Sequence, residues 1–249
     1  MRIYGLIGYP LSHSLSRKYF LEKFIMEGIR DTDYRLFPLN KAAELNNLLE
    51  DFPDIIGLNV TTPFKNQIIP FLDNLDDIAH ETGAVNTIKI FKQGNKLIKT
   101  GYNTDVIAFK TTLYQFIDEK NYAALILGTG GASRSVAKVL KDNNMKFCFV
   151  SKSKSGKNTF TYNELDKSVF QKFKLIINTT PLGTFPDIQY FPEIPYHYLT
   201  EDHFLYDLVY NPIETMFLAN GKKFGAKTTN GLKMLKIQAD KAWEIWNND

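Results

Sequence analysis

A single cysteine in 249 residues excludes an intrachain disulfide and any metal cluster built on cysteine. That residue, Cys148, stands in the apolar run Lys146-Phe147-Cys148-Phe149-Val150 and reads as a buried, inert core thiol. No apolar run approaches the roughly 18 residues of a membrane span. The opening Arg2-Ile3-Tyr4-Gly5-Leu6-Ile7 is strand-like and lacks the charged-then-apolar layout of a signal peptide. A cytoplasmic protein without membrane contact is expected. Charge of one sign is also scarce: 30 Lys and Arg against 27 Asp and Glu leave +3. The densest basic run, Lys152, Lys154 and Lys157, is too short for a nucleic-acid arm. Nucleic acid is not an expected partner, whereas small anionic ligands remain. Internal repeats and low-complexity tracts are missing, and no metal site is expected.

With 44% hydrophobic and 23% charged residues, the chain can bury one large core or two modest ones. Its first hundred residues alternate short apolar runs with helical periodicity: strand Arg2 to Ile7, helix Ser16 to Met26, strand Tyr34 to Phe37, helix Ala42 to Leu49, strand Ile55 to Val60. This is the rhythm of stacked βαβ units. Thr87-Ile88-Lys89-Ile90-Phe91, turning at Gln93-Gly94-Asn95 into Lys96-Leu97-Ile98, reads as a hairpin, so a mixed sheet with an antiparallel edge is predicted. Thr104 to Phe116 reads as a long helix. Ala123-Ala124-Leu125-Ile126-Leu127 then runs straight into glycines. Further strands are predicted at Phe147 to Val150, Leu175 to Asn178 and Leu205 to Leu208, while Phe185 to Pro195, with three prolines, is irregular. The last helix, Leu232 to Trp246, carries an apolar stripe of Leu232, Leu235, Ala239, Ala242, Trp243 and Trp246, and is expected to pack back on the first domain.

The prediction is therefore a two-domain α/β protein. An N-terminal mixed-sheet α/β domain spans 1–103 plus 231–249, and a Rossmann-type domain spans 104–230. In the second, Gly128-Thr129-Gly130-Gly131-Ala132-Ser133 follows a strand and opens a helix. Gly128 permits a tight turn, Gly130 and Gly131 let backbone approach a pyrophosphate, and the helix from Ala132 offers free N–H groups to it. The alternative is a plain glycine-rich strand-helix corner, since Ser133 fills the third small position. An NAD site wants a carboxylate about 20 residues onward for the ribose hydroxyls. Here the next strand ends Val150-Ser151-Lys152-Ser153-Lys154. Cations and hydroxyls there suit a ribose 2′-phosphate, so NADP(H) is the predicted cofactor, with a solvated lysine face as the alternative.

Asn59-Val60-Thr61-Thr62-Pro63-Phe64-Lys65 ends a strand in a turn that can hold an ammonium against a substrate. Lys65 can hydrogen-bond a substrate oxygen and hand over a proton, and Asp105, in Tyr102-Asn103-Thr104-Asp105, can orient it. Read blandly, Lys65 is a solvated lysine and Asp105 a helix N-cap. The serine-rich Tyr9-Pro10-Leu11-Ser12-His13-Ser14-Leu15-Ser16 enters a helix, and its hydroxyls can cap that helix or hold a carboxylate. His13 is read as a structural hydrogen-bonding residue.

In order, Gly8-Tyr9-Pro10 to Ser16, Asn59 to Lys65, Gly83-Ala84-Val85-Asn86-Thr87, Asn103-Thr104-Asp105, the glycine loop to Arg134, Asn178-Thr179-Thr180-Pro181-Leu182-Gly183, Asp207-Leu208-Val209-Tyr210-Asn211-Pro212, and Asn230-Gly231-Leu232 through Gln238-Ala239 resemble the shikimate dehydrogenase family across nearly the whole chain. The resemblance implies reversible NADP-linked reduction of 3-dehydroshikimate to shikimate, in chorismate and aromatic amino-acid biosynthesis. It implies a substrate held between the two domains, by a monomer or homodimer. Lys65 and Asp105 would be the catalytic pair. Ser14, Ser16 and Tyr210 would grip the substrate carboxylate, and Asn59, Thr61, Asn86 and Gln238 would meet its ring hydroxyls. The cofactor would lie on Gly128, Gly130, Gly131, Ala132, Ser151, Lys152, Ser153, Thr180 and Gly231.

The chain departs from the family pattern at Arg17, where proline is usual, at Ala108, where glycine is usual, and at Thr184, where methionine is usual. Ser151-Lys152-Ser153 stands where Asn-Arg-Thr is common, which trades a planar, bidentate guanidinium for a point charge. A quinate-acting paralogue and a silent NADP- or shikimate-binding regulator are the competing readings. A folate-type dehydrogenase shares the layout but suits the serine loop less well.

Overall fold

Arg2–Gly8 (β1) is buried from Ile3 to Ile7, on both faces, because it is a central parallel strand flanked by two others. The computed structural model describes residues 1–12, 14–118, 122–153 and 157–248. His13 and Lys154 lie outside them. Contacts divide the chain into Met1–Asp105 with Lys236–Asp249, and Val106–Leu235. The chain passes from one unit to the other after Asp105 and again after Leu235. At the first, the Asp105 side chain is tied to Lys65 and Asn86, which belong to the first unit. No helix among the described residues is long and apolar enough to cross a membrane.

In the first unit β1 is followed by α1 (Ser16–Met26), β2 (Thr32–Pro38), α2 (Leu45–Asp51), β3 (Ile55–Val60), α3 (Phe64–Gln67), β4 (Asn74–Leu75), α4 (Asp77–Thr82), β5 (Thr87–Gln93) and β6 (Lys96–Tyr102). Among the described residues these strands make one six-stranded sheet in the order β2-β1-β3-β5-β6-β4. The sheet is mixed, since β5 runs antiparallel to both β3 and β6. The two-residue β4 then pairs parallel to β6, so the outermost strand is not the antiparallel edge that was predicted. The predicted helix from Ala42 is instead a 3₁₀ turn, Ala42–Glu44, leading into α2. There the Glu44 carboxylate accepts from the Asn40 N–H at 3.0 Å.

This topology gathers loops at one end of the sheet. The C-terminal ends of β1, β3 and β6 and the N-terminal end of the antiparallel β5 all lie there, with Asn59 opposite Thr87 and Thr87 opposite Tyr102. The helix α9 (Leu232–Asn247) contributes its later turns to this unit: Ala239, Ala242 and Trp246 join Tyr4, Phe20, Phe24 and Tyr34 in one core cluster. Trp246 donates from Nε1 to Ile88 O at 3.0 Å, and its ring lies where a Cβ on Gly57 would come within 2.6 Å. Truncating such a residue to alanine costs about 3–5 kcal/mol.

The second unit carries α5 (Asp105–Phe116), β7 (Ala123–Leu127), α6 (Gly131–Asp142), β8 (Phe147–Ser151), β9 (Thr159–Thr161), α7 (Lys167–Lys172), β10 (Phe173–Asn178), β11 (Phe204–Asp207), α8 (Met216–Lys223) and β12 (Lys227–Thr229). Among the described residues its strands pair in parallel throughout, in the order β12-β11-β10-β7-β8-β9. The order reverses between β7 and β10, the switch point beyond whose carboxyl ends such sheets bind ligands. Cys148 is only half-buried, not fully buried as predicted, because just the three-residue β9 lies beyond β8. Burial still pushes its thiol pKa up, which keeps it unreactive.

Candidate active site

Lys65 sits on α3 one residue after Phe64, which is buried in the core and anchors the turn. Its carbonyl accepts from the Val85 N–H at 2.7 Å, so the backbone is tied to the segment before β5. The side chain is thereby aimed at Asp105, with Nζ donating to Oδ2 at 2.6 Å and only 19% and 8% of the two side chains exposed. Asp105 is not the cap of α5. It is the first helical residue, its own N–H donates to Asn103 Oδ1 at 3.1 Å, and its carboxylate points at the lysine. Its second oxygen, Oδ1, accepts from Asn86 Nδ2 at 2.9 Å. A buried ion pair of this kind is costly to break, since removing one partner strands the other charge.

The Asn86 amide is oriented without ambiguity. The Thr104 backbone N–H can only donate, and it donates to Asn86 Oδ1 at 2.8 Å, so Nδ2 must face the aspartate. Asn86 Nδ2 also contacts Thr104 Oγ1 at 2.9 Å and Gln238 Oε1 at 3.4 Å, and the Thr104 hydroxyl donates to Gln238 O at 3.1 Å. Asn59, buried on β3, donates to Asn86 O and Thr87 Oγ1, both at 3.3 Å. Lys65, Asp105, Asn86, Asn59 and Gln238, far apart in sequence, thus form one connected cluster. Lys65 uses one of its three N–H groups on Asp105, leaving two for a substrate oxygen.

The serine loop runs beside it. Tyr9 donates from its backbone N–H to Thr62 O at 3.0 Å, and a Cβ on Gly8 would meet Thr61 Cγ2 at 2.4 Å. Ser14 Oγ accepts the Ser16 N–H at 3.2 Å, so one serine does serve the helix start, although the cap position itself is Leu15. The hydroxyls of Ser16 and Thr61 have no hydrogen-bond partner among the described residues. Tyr210 is half-buried and belongs to the second unit.

In that unit Gly128 has φ +107, a conformation that needs glycine, and a Cβ there would meet Thr179 Oγ1 at 2.9 Å. Gly130 caps α6 without a side chain, and a Cβ on it would touch nothing within 4 Å. No internal packing explains a glycine there, and the open space and uncapped N–H groups fit a dinucleotide phosphate. Gly131 and Ala132 begin the helix, and Ser133 closes its first turn by donating to Gly130 O at 2.6 Å. Lys152 and Ser153 are exposed at the end of β8, and Ser151 Oγ accepts the Ser153 N–H at 3.4 Å. Thr180 is occupied internally, donating its hydroxyl to Asn178 Oδ1 at 2.6 Å. Gly231 also has an internal reason, since a Cβ would come within 2.1 Å of Leu208 O. Sequence reasoning gave no role to Asp207, which is fully buried and accepts from Asn178 Nδ2, the Val209 N–H and Thr215 Oγ1 at 2.9, 3.0 and 2.6 Å. Burial raises its pKa to about 6 in spite of those bonds.

Residues 6–88 match the family model for the shikimate dehydrogenase substrate binding domain. The chain is 35% identical over 270 residues to the shikimate dehydrogenase (NADP(+)) of Methanococcus maripaludis strain S2, covering 98% of this chain and 91% of the relative. The chain belongs to the shikimate dehydrogenase family.

Two solved members of the family share the fold. A shikimate dehydrogenase in complex with NADP+ is 32% identical with a TM-score of 0.85, covering 99% of this chain and 90% of that one. The Thermus thermophilus enzyme in complex with NADP(H) and shikimate is 27% identical with a TM-score of 0.84, covering 99% and 94%. The departures from the family pattern have local explanations in two cases. Arg17 donates from Nε to Tyr34 O at 3.2 Å, replacing a stiff residue with a tether, and Ala108 is fully buried on α5. Nothing in the structure explains Thr184.

Proposed function

We propose that this chain catalyses the reversible NADP-dependent reduction of 3-dehydroshikimate to shikimate, in the cytoplasmic route to chorismate and the aromatic amino acids. The observation that carries this reading is the 2.6 Å contact between Lys65 and an Asp105 carboxylate whose other oxygen is held by Asn86. In the reduction, Lys65 gives a proton to the substrate carbonyl oxygen as the carbonyl carbon gains hydride, and in the oxidation it takes that proton back. Asp105 keeps the ammonium aimed throughout. When bound, NADP(H) supplies or accepts the hydride. Ser14, Ser16 and Tyr210 hold the substrate carboxylate, and Asn59, Thr61, Asn86 and Gln238 meet the ring hydroxyls. Buried polar partners of this kind reject analogues that leave them unpaired. Gly128, Gly130, Gly131 and Ala132 hold the pyrophosphate, Ser151, Lys152 and Ser153 the 2′-phosphate, and Thr180 and Gly231 shape the rest of the cofactor site. The first unit is the substrate-binding and catalytic domain, and the second binds the cofactor.

Steady-state kinetics on Lys65→Ala test the reading. The expected loss in kcat is about 10²–10⁴-fold with shikimate KM little changed, as for a proton donor whose contact strengthens in the transition state. Equal losses in kcat and affinity would contradict that role.

A further inference from the structure

Tyr34 has no part in the reading above, yet its hydroxyl meets one member of the cluster, Asn59. On β2, its ring is fully buried and stacks on Phe20 at 4.4 Å with 10° between planes. Its hydroxyl lies 2.8 Å from Asn59 Oδ1. The direction of that bond is fixed. The Asn86 carbonyl can only accept, so the Asn59 atom facing it is Nδ2, and Oδ1 is left to receive the tyrosine O–H. The two bonds from Asn59 Nδ2 are long, at 3.3 Å each, which makes the Tyr34 bond the one short side-chain contact on that amide among the described residues.

From Tyr34 the donors run one way. Asn59 donates to Thr87 Oγ1, Thr87 donates to Asn86 Oδ1 at 3.2 Å, and Asn86 donates to Asp105 Oδ1 at 2.9 Å. Such a chain polarises each member toward the next. With both Nδ2 hydrogens spent inside the fold, Asn59 has only the second lone pair of Oδ1 to offer a ligand. It therefore reads a substrate hydroxyl as a donor.

We propose that Tyr34 is a positioning residue for this reaction, its buried hydroxyl fixing Asn59 as a hydrogen-bond acceptor for a ring hydroxyl of the substrate. The inference rests on the shikimate dehydrogenase reading. Tyr34→Phe keeps the stacked ring and removes only the O–H. In the intact chain it is expected to raise shikimate KM about three- to tenfold, with kcat within about twofold and NADP KM unchanged. In an Asn59→Ser background the same substitution should change shikimate KM by less than about twofold, because the intermediary is gone. An unchanged KM with a lowered Tm, or equal KM increases in both backgrounds, overturns the inference. If the Phe variant does not fold, Thr87→Val, isosteric and one link further along, carries the test: it too should raise shikimate KM, and no change overturns the inference. Wild-type protein that fails to oxidise shikimate overturns the functional reading and this inference together, whereas active wild type with additive effects overturns this inference alone.

Discussion

Gly130 and Gly231 are the same residue type for opposite reasons, and the sequence presents both simply as glycines beside the cofactor. A Cβ on Gly231 would meet the Leu208 carbonyl at 2.1 Å, against backbone that cannot step aside cheaply. Gly231→Ala is therefore expected to destabilise the protein by about 1–3 kcal/mol, visible as a lowered Tm with or without cofactor. Gly130→Ala meets nothing within 4 Å, so its Tm should hold while NADP KM rises. An unchanged NADP KM in Gly130→Ala would remove the argument that this space is kept for phosphate. Lys65 and Asp105 were legible as a pair from their strand-to-helix junctions, but the choice between carboxylate and helix cap for Asp105 was not. It depends on Lys65 and Asn86, both distant in sequence, meeting the two carboxylate oxygens in the fold. Tyr34 gave no signal, because a tyrosine in a strand is read as core until its hydroxyl partner is known.

At the scale of elements, parallel strands were the most legible feature. β1, β3, β7, β10 and β11 are continuous apolar runs because both of their faces are covered. β4, β9 and β12 are two or three residues long and too short to show a period. The ends of β10 and β11 are joined by Asn178 and Asp207, a buried carboxyl whose pKa is raised by burial from 3.8 to about 6. Because the folded value lies above the unfolded one, the native state binds the proton in that window. The group's stabilising contribution is thus present at low pH and is lost as pH rises from about 4 to about 6, by about 3 kcal/mol. The unfolding free energy of wild type minus that of Asp207→Asn should fall by that amount across the window and be flat above it, as read from urea titrations at several pH values. A difference that rises with pH would show that hydrogen bonding outweighs desolvation at this site.

For the whole molecule, a net charge of only +3 leaves cofactor choice to a few local groups. Lys152, exposed at the end of β8, is the cation placed to meet a 2′-phosphate. Lys152→Ala is expected to raise NADP KM about tenfold, the worth of one hydrogen bond to a charged group, and to leave NAD kinetics unchanged. Equal effects on both cofactors would make it a solvated lysine. The two-unit α/β organisation was legible from the strand that runs into the glycines after Leu127 and from the apolar stripe of α9. The break inside that helix was not, since its residues follow one helical period throughout while its contacts change. The most direct measurement is a set of initial rates for the purified protein with shikimate and with quinate, each against NADP and NAD. Shikimate with NADP is expected to give the highest kcat/KM of the four. No reduction of NADP by shikimate, or a preference for quinate with NAD, would contradict the account.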